Sequence, residues 1–473
     1  MKFLDREEEM RRLLNLSARE GGGLVVLWGR RRVGKTRLML EWVRLAGGLY
    51  TLADQSAGSV QRRYFAESLS SVLDGFAESE YPDWRTLLRA LARQAGHAGW
   101  RGPLVIDELP YLVAASPELP SVLQGFIDHE ARSARLCVAL AGSSQHMMQG
   151  FQLDRTSPLF GRASEAFELH PLRAGYIGKA LGMDRPTRSI SAWAAWGGIP
   201  RYWELAEPFR MDTDAAIDTL VLDPNGTLHA EPDRLLVEEL PPATGLRPIL
   251  DVVGGGAHRL SEIAGRIGVP ATSLTRPLGR LQELGLLTRE QPFGAPDRGG
   301  KRSLYQIGDP FIRMWFRVVA PQRAALAVGG RAARAAIWQR HRVRLVSEAW
   351  EDLCRASVPR LTRTTLGEDG PWGPARRFWR GDGPEWDIVA SSPGDDALLI
   401  GEVKWSEKPV SESEVDRIGR ALLAKGLPDG PWARDKRIVN AVFVPELQAP
   451  PGRAAGRRSY RVITATDVLE CMR

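Results

Sequence analysis

The chain has 473 residues, too many for one hydrophobic core, so several domains are expected. It is 43% hydrophobic and 26% charged, as in ordinary globular proteins, and no apolar run approaches a membrane span, so no membrane partner is expected. The formal charge of +7 permits an anionic partner such as DNA without requiring one.

Cys137, Cys354 and Cys471 are odd in number and far apart, which fits neither a disulfide frame nor a zinc knuckle. With no apolar signal core at the start, a reducing cytoplasm is the expected location. Arginine outnumbers lysine heavily, so a lysine at a motif position is informative.

In chain order, residues 5–18 read as a charged helix ending in three glycines. Leu24-Val25-Val26-Leu27-Trp28 then forms an apolar run of strand length, closed by Gly29. Gly34-Lys35-Thr36 follows, opening a helix over 37–45. This is the strand, phosphate loop and helix of a P-loop nucleoside triphosphatase. Glycines let backbone N–H groups wrap a polyphosphate. The helix N-terminus adds partial positive charge. Lys35 reaches the β- and γ-phosphates, and the Thr36 hydroxyl ligates Mg²⁺.

A second strand is expected over 49–52, with helices over 58–73 and 84–95. The run 103–109 reads as a buried strand closing on Asp107 and Glu108. Asp107 suits the Mg²⁺ ion of ATP, and Glu108 suits orienting and deprotonating the attacking water. A helix over 119–131 leads to a strand over 136–140. After it, Ser143 and Ser144 have two readings: contact with the γ-phosphate or water, or a helix N-cap over 145–150. Alternation of apolar strands with helices implies a parallel sheet covered on both faces.

On Asp5-Arg6-Glu7, the Gly29–Thr36 loop, Ile106-Asp107-Glu108, Gly142-Ser143-Ser144, Ser157-Pro158-Leu159-Phe160-Gly161-Arg162 and Gly197-Gly198-Ile199-Pro200, the chain resembles the archaeal/bacterial ATPase family of the STAND branch of AAA+ proteins. The resemblance implies that Arg162 is an arginine finger or γ-phosphate sensor and that Pro200, in a helical lid, approaches the nucleotide. Phe160 stands where tyrosine is usual. The expected nucleotide contacts are then Gly29, Arg32, Val33, Gly34, Lys35, Thr36, Arg37, Asp107, Ser143 and Pro200.

Residues 171–240 read as lid helices, and Pro241-Pro242 as a boundary. Helices over 246–253, 261–267 and 271–284, then strands around 285–290 and 301–307, give a winged helix-turn-helix pattern. Ser261 and Thr272 or Ser273 are the expected N-caps. Two roles are open: a packing and relay module, or a DNA reader through Thr272, Ser273, Arg276 and Arg280 on the recognition helix and Arg289, Arg298, Lys301 and Arg302 around the wing. Residues 308–345 read as a helical linker whose Arg331, Arg334, Arg340, Arg342 and Arg344 form a solvated face or line a nucleic-acid channel.

A helix over 346–356 carries Glu348 and Glu351. Beyond it, strands containing Asp387 and Glu402 make a hairpin, with Glu402 and Lys404 alternating onto one face. Two carboxylates and a lysine on a sheet face can hold Mg²⁺ or Mn²⁺ and position a water for phosphodiester attack. This part resembles the PD-(D/E)XK nuclease superfamily, with Trp386 where the generic motif has proline. The resemblance implies Asp387 and Glu402 as metal ligands, Lys404 as activator of the nucleophile, and Glu351 as an accessory acid. The other reading is a retired nuclease fold used for binding.

The expected architecture is thus α/β and multidomain. A P-loop ATPase core spans 1–170, a helical lid 171–240, a winged helix 241–320, and a linker with a small α/β nuclease-like domain 321–473. The expected function is Mg-ATP hydrolysis coupled to DNA binding or cleavage, with DNA favoured over RNA and ATP-dependent self-association possible. The alternative is a STAND-type switch or DNA-binding regulator with an inert tail.

Overall fold

The computed structural model describes residues 2–239, 245–296, 302–366, 370–381, 383–448 and 458–473. Pro241-Pro242, Arg298 and Lys301, all singled out from the sequence, lie outside the described residues. The chain forms two compact units: Phe3–Pro171 with Ile199–Arg201, and Leu172–Gly198 with Tyr202–Arg473.

The first unit is built on five parallel strands: β1 (Gly23–Trp28), β2 (Leu49–Leu52), β3 (Leu104–Asp107), β4 (Cys137–Gly142) and β5 (Glu165–Glu168), in the order β2-β3-β4-β1-β5. Side chains alternate across a strand, so an apolar run feeds both faces. Leu24, Val26, Leu104, Ile106, Val138 and Leu140 enter one core, with helices Gly58–Leu69 and Trp84–Ala98. Val25, Leu27, Val105, Ala139 and Ala141 enter the other, with helices Glu7–Ser17 and Lys35–Ala46. The cost of opening such a two-sided core is what holds the loops at the strand ends in place.

Three local expectations need correction. Strand β3 stops at Asp107, and Glu108 is the left-handed residue (φ +55°) that precedes helix Leu109–Ala115. The chain turns there because Glu108 N–H caps its neighbour, Asp107 Oδ1, at 2.9 Å. Ser144 stands at the N-cap of helix Gln145–Leu153 but makes no side-chain cap bond. The helix beginning at Leu119 runs as Leu119–Gly125 and continues in a wider turn to Ala131.

In the second unit, helices Arg247–Gly254, Leu260–Ile267 and Thr275–Glu283 precede an antiparallel pair, β6 (Leu287–Glu290) and β7 (Leu304–Ile307). Arg259 and Leu274, not Ser261, Thr272 or Ser273, hold the N-cap positions; the Ser273 hydroxyl donates to the Pro270 carbonyl at 2.7 Å instead. The latter part of the expected linker, from Arg331, and the helix bearing Glu348 and Glu351 form one helix of 27 residues, Arg331–Ser357.

That helix packs on a second sheet of five strands: β8 (Arg376–Phe378), β9 (Trp386–Ser391), β10 (Ala397–Val403), β11 (Arg437–Phe443) and β12 (Arg461–Ile463). The order is β12-β11-β10-β9-β8; β8, β9 and β10 run antiparallel, and β10, β11 and β12 parallel. Ala397, Leu399 and Val403 of β10 point into the core shared with helix Arg331–Ser357. Leu398 and Ile400 point to the other side, where Val415, Ile418 and Leu422 of helix Glu412–Ala424 cover them.

Candidate active site and a second acidic centre

The phosphate loop leaves β1 at Gly29, whose φ is +149°. A Cβ there would lie 2.6 Å from the Leu169 carbonyl oxygen, so only glycine fits. Gly34, also left-handed at φ +97°, opens helix Lys35–Ala46. A Cβ on Gly34 would sit 3.6 Å from Cγ of Pro200, which places Pro200 beside the loop. Lys35 is buried, and its Nζ donates to the carbonyls of Gly29 (2.7 Å) and Arg30 (3.2 Å), lying across the loop it serves. Arg32 and Arg37 are exposed, and Val33 is buried.

The loop has a brace that sequence reading missed. Arg6 is almost fully buried and donates through Nη2 to the carbonyls of Val33 (3.1 Å) and His170 (2.7 Å). Charge-assisted bonds of this kind are about twice as strong as neutral ones.

The strand order puts β4 between β1 and β3, so the loop, the acids and Ser143 meet at one end of the sheet. Asp107 is buried, and its Oδ2 accepts from the Thr36 hydroxyl at 2.9 Å and from the Tyr50 hydroxyl at 2.7 Å. Tyr50 was not anticipated. Burial, then the charge of Asp107, pushes its phenol well above the ordinary range, so it stays a donor.

The left-handed turn at Glu108 brings its carboxylate to Ser143, whose backbone N–H (3.2 Å) and hydroxyl (2.9 Å) both donate to Oε2. Of the two readings for Ser143, phosphate contact or cap, the structure shows a third, a hold on Glu108. Thr36 and Asp107 offer hard oxygen donors side by side, and Lys35 lies within the loop. This set fits a Mg-polyphosphate.

Arg162 lies elsewhere. It grips Asp128 through two nitrogens, Nε at 2.9 Å and Nη2 at 2.9 Å, and donates to the Phe160 carbonyl at 3.2 Å. With Gly23, Leu24 and Val138 it lines a cavity of about 350 Å³ at the starts of β1 and β4. The loop leaves the other end of β1, roughly 17 Å away by strand rise. Arg162 thus stands about a strand length from the phosphate loop of its own chain.

The second centre gathers at the start of β9 and the end of β10. Period-two alternation puts Glu402 on the Leu398 and Ile400 side, toward helix Glu412–Ala424. Lys425, just past that helix, donates through Nζ to Glu402 Oε2 (2.5 Å) and to the Glu385 carbonyl (2.9 Å). Asp387 Oδ2 accepts from the Val403 N–H at 2.8 Å.

Lys404 lies beyond the end of β10 and is exposed. The lysine paired with Glu402 is thus Lys425. The rarity of lysine that marked Lys35 and Lys404 was also a signal for Lys425.

Burial, then Asp387, raises the Glu351 carboxyl to about 7. Burial, then Asp387, also raises Glu402, while Lys425 and Lys404 pull it back down. Among the described residues no group of three or more His, Cys, Asp or Glu side chains is close enough to hold a metal ion. Asp387 is near enough to act on both Glu351 and Glu402, and the Lys425 ammonium pairs with the Glu402 carboxylate.

On the three-helix element, Arg276 and Arg280 line an open groove of about 700 Å³ with Thr272 and Ser273. Arg280 also pairs with Glu283 at 3.1 Å. Arg302 is exposed, whereas Arg289 donates to the Ser303 hydroxyl at 2.8 Å. The paired strands are not free-standing. Glu290 pairs with Arg377 of β8, and the Phe293 N–H donates to the Arg377 carbonyl at 2.8 Å. Trp432 stacks edge-on against Phe293 (4.7 Å) and Phe378 (5.3 Å).

Among the linker arginines, Arg331, Arg340 and Arg344 are exposed, as a solvated face requires, and several are paired. Arg334 pairs with Asp218 (2.7 Å) and Asp223 (3.2 Å), Arg331 with Asp218 (3.5 Å), and Arg342 with Glu407 (2.7 Å).

Residues 3–204 match a family described as an ATPase domain predominantly from Archaea. Residues 315–418 match archaeal and bacterial proteins of unknown function. An uncharacterized protein of Methanocaldococcus jannaschii, MJECL04, is 26% identical over 428 residues, covering 89% of this chain and 91% of its own. Among solved structures, the Walker-type ATPase PABY2304 of Pyrococcus abyssi is similar in fold. Its TM-score is 0.50 at 20% identity, over 67% of this chain and 96% of that one. Among the described residues no helix is long and apolar enough to cross a membrane. Loop geometry and family match together make the N-terminal part of the chain a P-loop ATPase domain.

Proposed function

We propose that this chain uses ATP to control nucleic-acid binding by its C-terminal unit. The observation that carries the reading is the shared Asp107 carboxylate, which joins the loop hydroxyl of Thr36 to β3 and places Glu108 beside Ser143. Bound Mg²⁺ supplies charge neutralisation along the phosphate chain. Gly29, Arg32, Val33, Gly34, Lys35, Thr36 and Arg37 hold the phosphates, and Thr36 and Asp107 provide oxygen donors for the cation. Glu108 accepts the proton of the attacking water, and its release from Ser143 is the step that readies it. Pro200 marks where the lid segment returns to the loop. A contact of Arg162 with phosphate requires a second copy of the chain, which would make assembly depend on nucleotide.

The remaining parts are assigned by the same reading. A lid spans 171–240, a winged helix 241–320 and a nuclease-like domain 321–473. Arg276, Arg280 and Arg302, with Lys301, are the DNA contacts of the winged helix, and the groove beside Arg276 and Arg280 supports this.

Cleavage of the bound strand is a second reading. The neighbouring acids Glu351, Asp387 and Glu402 favour it, and the Lys425 ion pair opposes it. The test is Mg²⁺- or Mn²⁺-dependent cleavage of single- and double-stranded DNA and RNA, with ATP, by wild type, Asp387→Ala, Lys404→Ala and Lys425→Ala. Cleavage by wild type that Asp387→Ala abolishes supports a nuclease. No cleavage by any of the four leaves binding alone, the STAND-like switch with an inert tail.

A further inference from the structure

One face of helix Arg331–Ser357 carries Arg344, Glu348, Glu351, Asp352 and Arg355, spaced so that they form one stripe. The stripe is the floor of a cavity of about 240 Å³, roughly eight water volumes. Arg313 and Arg317 close one wall, and Arg377 of β8 another. Among the described residues, no lining residue is shared between this cavity and the groove on the three-helix element.

Its charges do not balance. Three guanidinium groups converge on the single carboxylate of Glu348: Arg317 at 2.6 Å, Arg344 at 3.0 Å and Arg313 at 3.9 Å. Arg313 and Arg355 share Asp352, at 2.6 and 2.7 Å. Arg377 is matched by Glu290. Apart from Arg377, four arginines therefore line the cavity against three carboxylates, Glu348, Asp352 and Glu351, the last 3.8 Å from Arg355.

A neighbour reports the same field. Burial first, then Arg317, Arg340 and Arg344, lowers the His341 imidazole below its ordinary value. Arg313 and Arg317 are nearly buried, whereas Arg344 is 68% exposed and stands at the mouth. Partly desolvated cations in excess are stabilised by an anion, and guanidinium groups match phosphate oxygens in pairs.

We propose that this cavity binds a phosphate group, supplied by the backbone of a nucleic-acid strand that runs past the start of β9. It rests on the nucleic-acid reading given above. The placement supports a strand over a small molecule: Arg355, on the cavity floor, also reaches the Asp387 carbonyl at 3.5 Å, so the cavity borders the acidic centre. A free phosphate or mononucleotide offers the same chemistry, and the test separates the sources.

The experiment uses the full chain carrying Lys35→Ala, so that the phosphate loop does not compete. Labelled single- and double-stranded oligonucleotides are titrated by anisotropy at several salt concentrations, and inorganic phosphate is titrated by thermal shift. Arg344→Glu is compared with Arg344→Lys; both sit at an exposed position and keep the fold.

The expected result is that Arg344→Glu weakens oligonucleotide binding about tenfold or more and lowers the salt slope by about one, while Arg344→Lys stays near the parent. Oligonucleotide binding that is equal in all three overturns the cavity and leaves the nucleic-acid reading standing. If no oligonucleotide binds but phosphate protects the parent and not Arg344→Glu, the cavity takes a free anion and the nucleic-acid reading fails. If neither ligand binds the parent, both fail.

Discussion

Tyr50 and Glu351 show how single side chains set the chemistry at the two centres. Tyr50 donates to the same Asp107 oxygen as Thr36, so it fixes the carboxylate that the cation needs. Tyr50→Phe removes one hydrogen bond, about 1 kcal/mol, and should raise the Mg²⁺ concentration for half-maximal ATPase activity about fivefold. The fold and the affinity for Mg-free nucleotide should not change. A magnesium titration identical to wild type would remove Tyr50 from the site.

Glu351 gives a pH prediction. Its carboxyl is raised from 4.5 to about 7, so the folded state holds the proton more tightly than the unfolded chain. The resulting destabilisation is absent below pH 4.5, grows as pH climbs toward 7 and is complete above it. Glu351→Gln removes it, and should stabilise the protein by about 1–2 kcal/mol above neutrality, allowing for partial solvent screening, with no gain in acid. Melting curves across that range check it.

At the scale of elements, what was legible depended on whether a site is contiguous. The phosphate loop needs Gly29, Gly34, Lys35 and Thr36 within one turn of chain, and those residues announce it. The strands expected over 103–109 and 136–140 were readable because burial on both faces needs a continuous apolar run, and Leu104–Asp107 and Cys137–Gly142 are buried throughout. Contacts that close through space were not. Arg6 on Val33, Tyr50 on Asp107, Arg162 on Asp128 and Lys425 on Glu402 join residues whose sequence separation carries no pattern. The linker helix and the Glu351 helix fused because no Pro, Gly or cap separates 331 from 357, a signal that was present and overlooked.

Docking of the β6–β7 pair was likewise unreadable, since it depends on Trp432 meeting Phe293 and Phe378. Trp432→Ala should release that pair from β8. The expected readout is faster proteolysis after residue 290 at a global cost of about 1–3 kcal/mol, since the indole is only partly buried. Unchanged cleavage would mean that Arg377 and Glu290 hold the pair alone.

At the scale of the whole molecule, two kinds of site are set on two compact units. The first holds the phosphate loop, the acids and Ser143. The second holds the open groove at Arg276 and Arg280, the arginine-lined cavity and the acidic centre. Coupling requires that nucleotide favour one state of the chain over another, and that nucleic acid distinguish those states. Arg162, one strand length from its own loop, adds a route by which a second copy could take part.

The most direct measurement is the affinity of the full chain for a labelled DNA duplex with and without Mg-ATP. It compares wild type, Lys35→Ala, which loses the phosphate contact, and Glu108→Gln, which keeps nucleotide but loses the base. Mg-ATP should change the wild-type affinity about fivefold or more, change Glu108→Gln at least as much and more lastingly, and leave Lys35→Ala unmoved. Equal affinity in all three, with and without nucleotide, would show that the ATPase domain does not control nucleic-acid binding.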